Sequence, residues 1–168
     1  MTANERIRGL PALCGAHPRI LILGSMPSVA SLEQQQYYGH PRNAFWPIMA
    51  DLLGFEKRMP YAENTRRITQ NGIAIWDVIG ECVRPGSLDS AIVQGSERIN
   101  PIHEFIDARP AIRTVALNGG TAARLFRRHC LPHLEAAELR ILELPTTSPA
   151  NARMNYTEKS ERWRQILS

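Results

Sequence analysis

The apolar run Arg19-Ile-Leu-Ile-Leu23, followed at once by Gly24-Ser-Met-Pro-Ser28, decides the fold of this chain. A near-continuous aliphatic run is typical of a strand that is buried on both faces. Ile73-Ala-Ile-Trp76 and Arg113-Thr-Val-Ala-Leu117 have the same character, and Leu139-Arg-Ile-Leu-Glu-Leu144 is a fourth candidate. The sequence therefore predicts four strands in the interior of the protein.

Segments with helical periodicity separate these strands. Apolar residues recur at helical spacing in 45–53, and similar stripes mark 97–108, 121–130 and 157–167. Strands that alternate with helices predict a parallel sheet with helices on both faces. We therefore expect a three-layer α/β/α sandwich around a central, mainly parallel four-stranded sheet. No internal repeat or linker is visible, which predicts one domain over residues 1–168.

The composition excludes several classes of protein. Hydrophobic residues make up 43% of the 168 residues and charged residues 21%, so the chain can bury a core and is not disordered. The three cysteines (Cys14, Cys82 and Cys130) form no CxxC pair, which argues against a disulfide framework and against a zinc or iron–sulfur site. In the His/Cys cluster at 129–133, a central proline breaks helical ligand spacing. We therefore predict no metal site.

The charge and the N-terminal region set expectations for partners and location. Eighteen of the 20 basic residues are arginine, and 16 acidic residues leave a net charge of +4. This balance is compatible with a polyanionic partner without requiring one. The first ten residues lack an apolar signal-peptide core, and the aliphatic stretch 20–23 is too short to span a bilayer. We expect a cytoplasmic protein with no membrane partner.

The segments after the predicted strands carry the candidate site, because ligands of parallel sheets bind beyond the carboxyl ends of the strands. These segments are 24–28, Asp77 onward, 118–120 and 145–151. Most are rich in Gly, Ser, Thr, Pro or Asn and carry little charge. Such residues let backbone amides and hydroxyls approach a ligand closely.

Two of the loops also have ordinary structural explanations. The stretch 24–31 fits a tight turn in which Ser28 or Ser31 caps the next helix, and it matches neither a phosphate-binding P-loop nor a nucleophile elbow. In 37–46, Asn43 is a plausible helix cap and the two tyrosines are plausible core residues. The same stretch also concentrates stacking and hydrogen-bonding groups.

Together these stretches resemble a known family. The string GSMPSVASLEQQQYYGHPRNAFW, residues 24–46, is similar to the first motif region of the uracil-DNA glycosylase superfamily. It is most similar to the branch that removes hypoxanthine (deoxyinosine) from DNA, with the mismatch-specific uracil glycosylases as a neighbouring branch. The similarity continues through 72–78, 84–89, 117–120 and 144–151. Each motif is weak alone, but their order and spacing together are specific.

The resemblance implies a DNA repair enzyme that extracts a damaged nucleotide from the duplex and hydrolyses its N-glycosidic bond. In most of the superfamily, an Asp or Asn two residues after the first-motif glycine positions the attacking water. Met26 occupies that place here and cannot polarise water. In the hypoxanthine branch the Asn of the His-Pro-x-Asn motif takes over this task. The resemblance therefore implies Asn43 as the catalytic residue, supported by Asn118.

Base-binding and DNA-binding roles are implied in the same way. Tyr38 matches the aromatic residue that stacks on the extracted base, and Asp77 stands where relatives place a base-reading residue. Thr146 replaces the histidine that usually leads the second motif, whose loop presses into the duplex and grips phosphate. The implied base-binding residues are Gly24, Ser25, Met26, Tyr38 and Asp77. The implied DNA-binding residues are Ser28, His40, Arg42, Gly119, Thr146, Thr147, Ser148, Pro149, Ala150 and Asn151.

The chemistry implied by this resemblance requires no metal ion or organic cofactor. Stacking is worth about 1–3 kcal/mol per base and offsets part of the cost of extraction. A neutral asparagine orients water through its carbonyl, and electrostatic stabilisation of the departing base supplies much of the rest. A Schiff-base lyase would need a lysine nucleophile. The two lysines, Lys57 and Lys159, lie outside every motif, so we expect a monofunctional glycosylase.

Several functions stay open at this point. The leading hypothesis is release of hypoxanthine from double-stranded DNA by a monomer, with single strands as a further substrate. A second is release of uracil or thymine opposite guanine, and a third is a non-catalytic nucleic-acid binder that has lost the Asp or Asn at the position of Met26. A free-nucleoside hydrolase is disfavoured by the 148–151 loop and the basic charge.

Some charged residues have no assigned role. Arg124, Arg127 and Arg128 form either a solvated helix face or a track for DNA. Glu33 and Asp89 are capable of acid–base chemistry, but nothing in the sequence pairs them.

Overall fold

The structure is a computed structural model that describes residues 5–135, 138–150 and 153–168. In chain order its elements are β1 (Arg6–Arg8), β2 (Ile20–Gly24), α1 (Val29–Gln34), α2 (Phe45–Leu53), α3 (Tyr61–Gln70), β3 (Ile73–Asp77), β4 (Ile79–Val83), β5 (Arg98–Ile99), α4 (Ile102–Asp107), β6 (Thr114–Asn118), α5 (Gly120–His129), β7 (Arg140–Leu144) and α6 (Tyr156–Trp163). Short 3-10 turns cover Asp89–Ala91, Leu131–His133 and Arg164–Leu167.

Four parallel strands form the central sheet in the order β3-β2-β6-β7. Leu21 of β2 lies opposite Ala74 of β3 and Val115 of β6, and Ala116 of β6 lies opposite Leu142 of β7. This arrangement confirms the fold class expected from the four apolar runs. Because the strands all run in one direction, the segments that follow them meet along the same edge.

Each face of the central sheet buries its own core, since successive side chains of a strand point to opposite faces. Leu21 packs into a core that includes residues of α4 and α5, among them Phe126. Its neighbour Ile22 packs into a second core with residues of α2, α3 and α6, among them Trp163. The helices therefore cover both faces, as the three-layer prediction requires.

A second sheet, antiparallel and in the order β1-β4-β5, was not predicted. Its edge strands contain only three and two residues, too few to produce a recognisable sequence period. The helix expected over 97–108 is wrong in its first part for the same reason. Ile99 pairs with Ile79 in this sheet, and Pro101 allows a helix to begin only after it, at Ile102.

The remaining helices differ from the sequence-based expectations in smaller ways. The stripes at 121–130 and 157–167 correspond to α5 and to α6 with the following 3-10 turn. Helix α3 was not predicted, because it is mostly polar, and α1 was expected only as the helix that follows the turn at 24–31. Ser28 caps α1 by accepting a hydrogen bond from the Ser31 amide at 3.1 Å.

No helix within residues 5–135, 138–150 and 153–168 is long and apolar enough to cross a membrane. The same part of the chain contains no group of three or more His, Cys, Asp or Glu side chains that could hold a metal ion. Cys14, Cys82 and Cys130 are free thiols.

Candidate functional site

A cleft of about 460 Å³ opens where the segments after the four parallel strands converge. Most residues with a role expected from the sequence line this cleft. They are Gly24, Ser25, Met26, Ser28, Tyr38, Asn43, Asp77, Asn118, Gly119, Thr146, Thr147, Ser148 and Ala150. The common direction of the strands brings together residues that are more than 120 positions apart in the chain.

Three residues expected in the site do not line the cleft, and a fourth is not described by the structure. His40, Arg42 and Pro149 are not among the residues that line the cleft, and Asn151 lies outside the described residues. His40 and Arg42 belong to the loop before α2, where the His40 ring nitrogen accepts a hydrogen bond from the Arg42 amide at 3.1 Å.

Gly24, at the end of β2, allows Tyr38 and Asp77 to meet at the inner wall of the cleft. An added Cβ at Gly24 would lie 2.5 Å from Asp77 Oδ1 and 3.3 Å from the Tyr38 hydroxyl. Such approaches are shorter than van der Waals contact, so only glycine fits here. We call these three residues the inner wall.

The Asp77 carboxyl is buried and has a raised pKa, which is unusual for an aspartic acid. Asp77 is 4% exposed, and its Oδ2 has no hydrogen-bond partner among the described residues. Burial, with a smaller contribution from the nearby Asp89 and against the opposing effect of Arg84, raises the pKa of Asp77 to about 7. A substantial share of Asp77 is therefore neutral at neutral pH and available as a hydrogen-bond donor.

Two polar neighbours shape the field around Asp77. Arg84 is 2% exposed, and it donates to the Pro27 carbonyl at 2.6 Å and to the Gly86 carbonyl at 2.7 Å. Asp89 accepts a hydrogen bond from the Ser25 hydroxyl at 2.7 Å. The structure thus brings Asp89, unpaired in the sequence analysis, into the cleft beside the first motif.

Tyr38 adopts a left-handed backbone conformation, with φ of 55°, which is uncommon for a bulky residue. Its ring stacks on Phe45 with 4.0 Å between centroids and an interplanar angle of 21°. Its buried hydroxyl has no hydrogen-bond partner in the described part of the chain, and burial raises the pKa of this phenol. Tyr38 therefore presents a neutral hydroxyl at the inner wall, with one ring face occupied by Phe45.

Tyr37 serves the core rather than the cleft chemistry. Its side chain is 4% exposed, and its hydroxyl donates to the Pro11 carbonyl at 2.7 Å. The structural explanation considered for the tyrosines holds for this one.

Asn43 directly precedes Ala44, the N-cap residue of α2, and it also lines the cleft. Its Oδ1 accepts a hydrogen bond from the Phe45 amide at 2.9 Å. A carbonyl oxygen has two lone pairs, so this bond leaves one acceptor position for a water molecule. The interpretation of Asn43 as the N-cap is therefore wrong by one residue, and the bond to the Phe45 amide is compatible with a water-positioning role.

Asn118 holds the loop that follows β7. Its Oδ1 accepts from the Thr147 amide at 2.9 Å, and its Nδ2 donates to the Thr147 hydroxyl at 3.0 Å. The Thr147 carbonyl accepts from the Ala44 amide at 3.0 Å, directly beside Asn43. These two bonds use one N–H and one lone pair of the Asn118 amide, and through them Asn118 anchors the loop after β7.

Helix α6 supports the same loop from the other side. Trp163 Nε1 donates to the Pro145 carbonyl at 2.9 Å, and the Lys159 ammonium contacts the Ser148 carbonyl at 3.4 Å. Lys159 is 6% exposed, and burial lowers its pKa. Lys159 thus lies beneath a motif loop. Its position in the sequence, outside every motif, did not indicate this contact.

Several lining residues were not assigned a catalytic, base-binding or DNA-binding role from the sequence. They are Pro27, Ser31, Tyr37, Ser87, Leu88, Asp89, Ser90, Gly120, Thr121 and Arg124. Residues 87–89 belong to the stretch 84–89, which is part of the family resemblance, so the sequence could have indicated a role for them. Arg124 lies on a polar helix face, and only its position relative to the cleft distinguishes it from an ordinary surface arginine.

The close approach at the inner wall predicts a stability cost for Gly24→Ala of about 1–3 kcal/mol, because the Asp77 carboxyl would have to move. Urea unfolding measures this cost. Gly120→Ala is the matched control, since an added Cβ there meets nothing within 4 Å. Equal unfolding free energies for Gly24→Ala and the wild type would contradict the packing described for the inner wall.

The chain is similar to known proteins over almost its whole length. The family model described as "Uracil DNA glycosylase superfamily" matches residues 11–167. A protein of Methanosarcina acetivorans named hypoxanthine DNA glycosylase is 35% identical over 161 residues, which is 95% of this chain and 97% of that protein. A protein of the same name from Methanosarcina barkeri is 31% identical over 154 residues, or 91% of this chain and 93% of that protein.

A solved structure agrees with these matches. The solution NMR structure of a Methanosarcina acetivorans protein, provisionally described as a uracil DNA glycosylase, superposes with a TM-score of 0.79 at 32% identity. The superposition covers 98% of this chain and 100% of that one. Because its fold, its family match and its relatives all agree, the chain belongs to the uracil DNA glycosylase superfamily.

Proposed function

We propose that this protein hydrolyses the N-glycosidic bond of hypoxanthine in DNA and leaves an abasic site. The observation that carries the proposal is the meeting, in one cleft, of Asn43 with the unpartnered polar atoms of Tyr38 and Asp77. The two relatives named hypoxanthine DNA glycosylase support the choice of base. The cleft volume is in the range of small-ligand sites, as a purine requires.

Base recognition in this proposal uses the neutral form of Asp77. A neutral carboxyl offers one hydrogen-bond donor and one acceptor side by side. The lactam edge of hypoxanthine offers the complement, an O6 acceptor beside an N1–H donor. Asp77 Oδ2 and the Tyr38 hydroxyl are buried without a hydrogen-bond partner among the described residues, which supports a ligand as the missing partner. An ionised carboxylate has no donor for O6, so its recognition of this edge is weaker.

Asn43 positions the attacking water in this mechanism. Met26 is 7% exposed and apolar, so it holds the wall of the cleft without orienting water. The free lone pair of Asn43 Oδ1 accepts a hydrogen bond from the water, which attacks the anomeric carbon as the base leaves. Donors at the inner wall stabilise the negative charge that develops on the base.

The proposal needs neither a cofactor nor a covalent intermediate. Lys159 and Lys57 are not among the residues that line the cleft, and the Lys159 ammonium contacts the Ser148 carbonyl. Among the described residues, no lysine amine lines the cleft to form a Schiff base with the sugar, which favours a monofunctional glycosylase.

The rest of the proposal concerns substrate and setting. DNA is bound as a duplex, with the nucleotide turned into the cleft and the loop 146–150 against the strand. We propose that the protein acts as one domain, as a monomer, in the cytoplasm. Uracil carries the same lactam edge as hypoxanthine, so uracil release is the second candidate.

Base release from labelled duplexes tests the function directly. Duplexes carrying deoxyinosine, uracil or xanthine are incubated in EDTA, and half of each sample is then treated with alkali to cut abasic sites. We expect the deoxyinosine strand to be cut only after alkali. Cleavage of the uracil strand alone would move the protein to the neighbouring branch, and binding without any product would favour a non-catalytic relative.

The water-positioning role predicts that Asn43→Ala lowers the single-turnover rate of base release by at least about 100-fold. Binding to abasic DNA should stay close to that of the wild type, since Asn43 acts on the water. Because Asn43 Oδ1 also accepts from the Phe45 amide at the start of α2, Asn43→Asp is made in parallel, as it keeps an acceptor for that amide. A fully active Asn43→Ala enzyme would overturn the assignment.

The state of Asp77 predicts a pH dependence. We expect base release by the wild type to fall about tenfold per pH unit above the Asp77 pKa of about 7, as the donor is lost. The contribution of Asp77 to the free energy of unfolding changes with pH in the same direction as the activity. It is fully present below the ordinary pKa of 3.8 and is lost as the pH rises through about 7.

Asp77→Asn is the matched variant for this prediction. An amide keeps one donor and one acceptor and does not titrate. We expect Asp77→Asn to release hypoxanthine with a flat profile between about pH 6 and pH 9. An unchanged alkaline decline in this variant would show that another group controls it.

A further inference from the structure

The charges within the cleft are separated in space. Among its described lining residues, the acidic side chains are Asp77 and Asp89, and the basic one is Arg124. Asp77 ends β3 and Asp89 follows β4, whereas Arg124 lies on the first turns of α5. The N-terminal residues of that helix, Gly120 and Thr121, also line the cleft. The α5 side of the cleft is therefore the side that attracts anions.

The three arginines of α5 are not equivalent. All are exposed, but Arg127 forms an ion pair with Glu143. Arg124 and Arg128 have no hydrogen-bond or ion-pair partner within residues 5–135, 138–150 and 153–168. They are four residues apart, so they follow one another by about 6 Å along the same side of the helix.

A nucleotide in the cleft must be oriented by these charges. Its phosphates are repelled by the carboxylate of Asp89 and attracted to the α5 side, whereas its base reaches the inner wall at Asp77. Phosphates that follow along the strand then leave the cleft over Arg124. Arginine suits this task, because its guanidinium forms paired hydrogen bonds with phosphate oxygens.

We propose that Arg124 and Arg128 form a phosphate track that binds the backbone of the damaged strand as it leaves the cleft. The inference rests on the proposed function in that it takes DNA as the substrate. It separates the two alternatives left open by the sequence: Arg124 and Arg128 belong to the DNA interface, and Arg127 is held by Glu143.

The test uses the salt dependence of binding to a duplex that carries a stable abasic-site analogue, measured by fluorescence anisotropy. Each phosphate contact contributes about 0.9 to the slope of log K against log salt concentration. We expect Arg124→Ala and Arg128→Ala each to lower the slope by about one contact and the double variant by about two. Arg124→Lys should restore most of the slope, because it keeps the charge.

Two controls separate a local contact from a change in net charge. Arg67→Ala removes the same charge from an exposed position in the last turn of α3, which leads into the start of β3 at the sheet edge opposite the cleft. The double variant Arg127→Ala/Glu143→Ala removes the α5 ion pair and leaves the net charge unchanged. We expect both controls to keep the wild-type slope.

The outcomes distinguish this inference from the proposed function. Wild-type slopes in Arg124→Ala and Arg128→Ala, in an enzyme that releases hypoxanthine, would overturn the track alone. Slopes that fall equally in Arg67→Ala would also overturn it, since net charge would explain the effect. Reduced slopes in a protein that releases no base would support the track and contradict the proposed function.

Discussion

The arrangement of the cleft depends on the two hydrogen bonds between the Asn118 side chain and Thr147. They join the end of β6 to the loop after β7, and the Thr147 carbonyl extends the connection to Ala44, beside Asn43. Buried polar groups cost about 1–3 kcal/mol when they lose a partner, so this network strongly favours one loop conformation. The loop expected to meet DNA and the residue expected to hold the water are therefore fixed relative to the same strand.

A second constraint is the absence of a side chain at Gly24. It allows a carboxyl and a phenol to share the inner wall, and the resulting burial raises the pKa of Asp77 to about 7. The cost of desolvating this acid is reduced by Arg84, whose own buried position is supported by two loop carbonyls. Sites that combine burial with an unsatisfied polar atom are often functional, because a ligand supplies the missing partner.

Much of the fold could be predicted from the sequence, and the reasons are local. Runs such as 20–23 and 114–117 are apolar on both faces, and only an interior strand satisfies that pattern. The small sheet escaped prediction because pairing of Ile99 with Ile79 joins distant segments whose own patterns are too short to be informative. Within the site, loop composition after each strand indicated where ligands bind. The sequence could not show that Tyr37 belongs to the core and Tyr38 to the inner wall. The two adjacent tyrosines differ only in backbone conformation and surroundings, which the fold decides.

The sequence alone determined the four-stranded parallel sheet, the edge at which its loops meet and the family that those loops resemble. These properties follow from side-chain periodicity and motif order, both of which are local. Only the tertiary structure decided which charges act together. It placed Asp89 against Ser25, Lys159 under Ser148 and Glu143 against Arg127, and it left Arg124 at the rim of the cleft. Electrostatic and hydrogen-bond energies depend on distance in space and on burial, and no pattern along the chain specifies either for residues that are far apart in sequence.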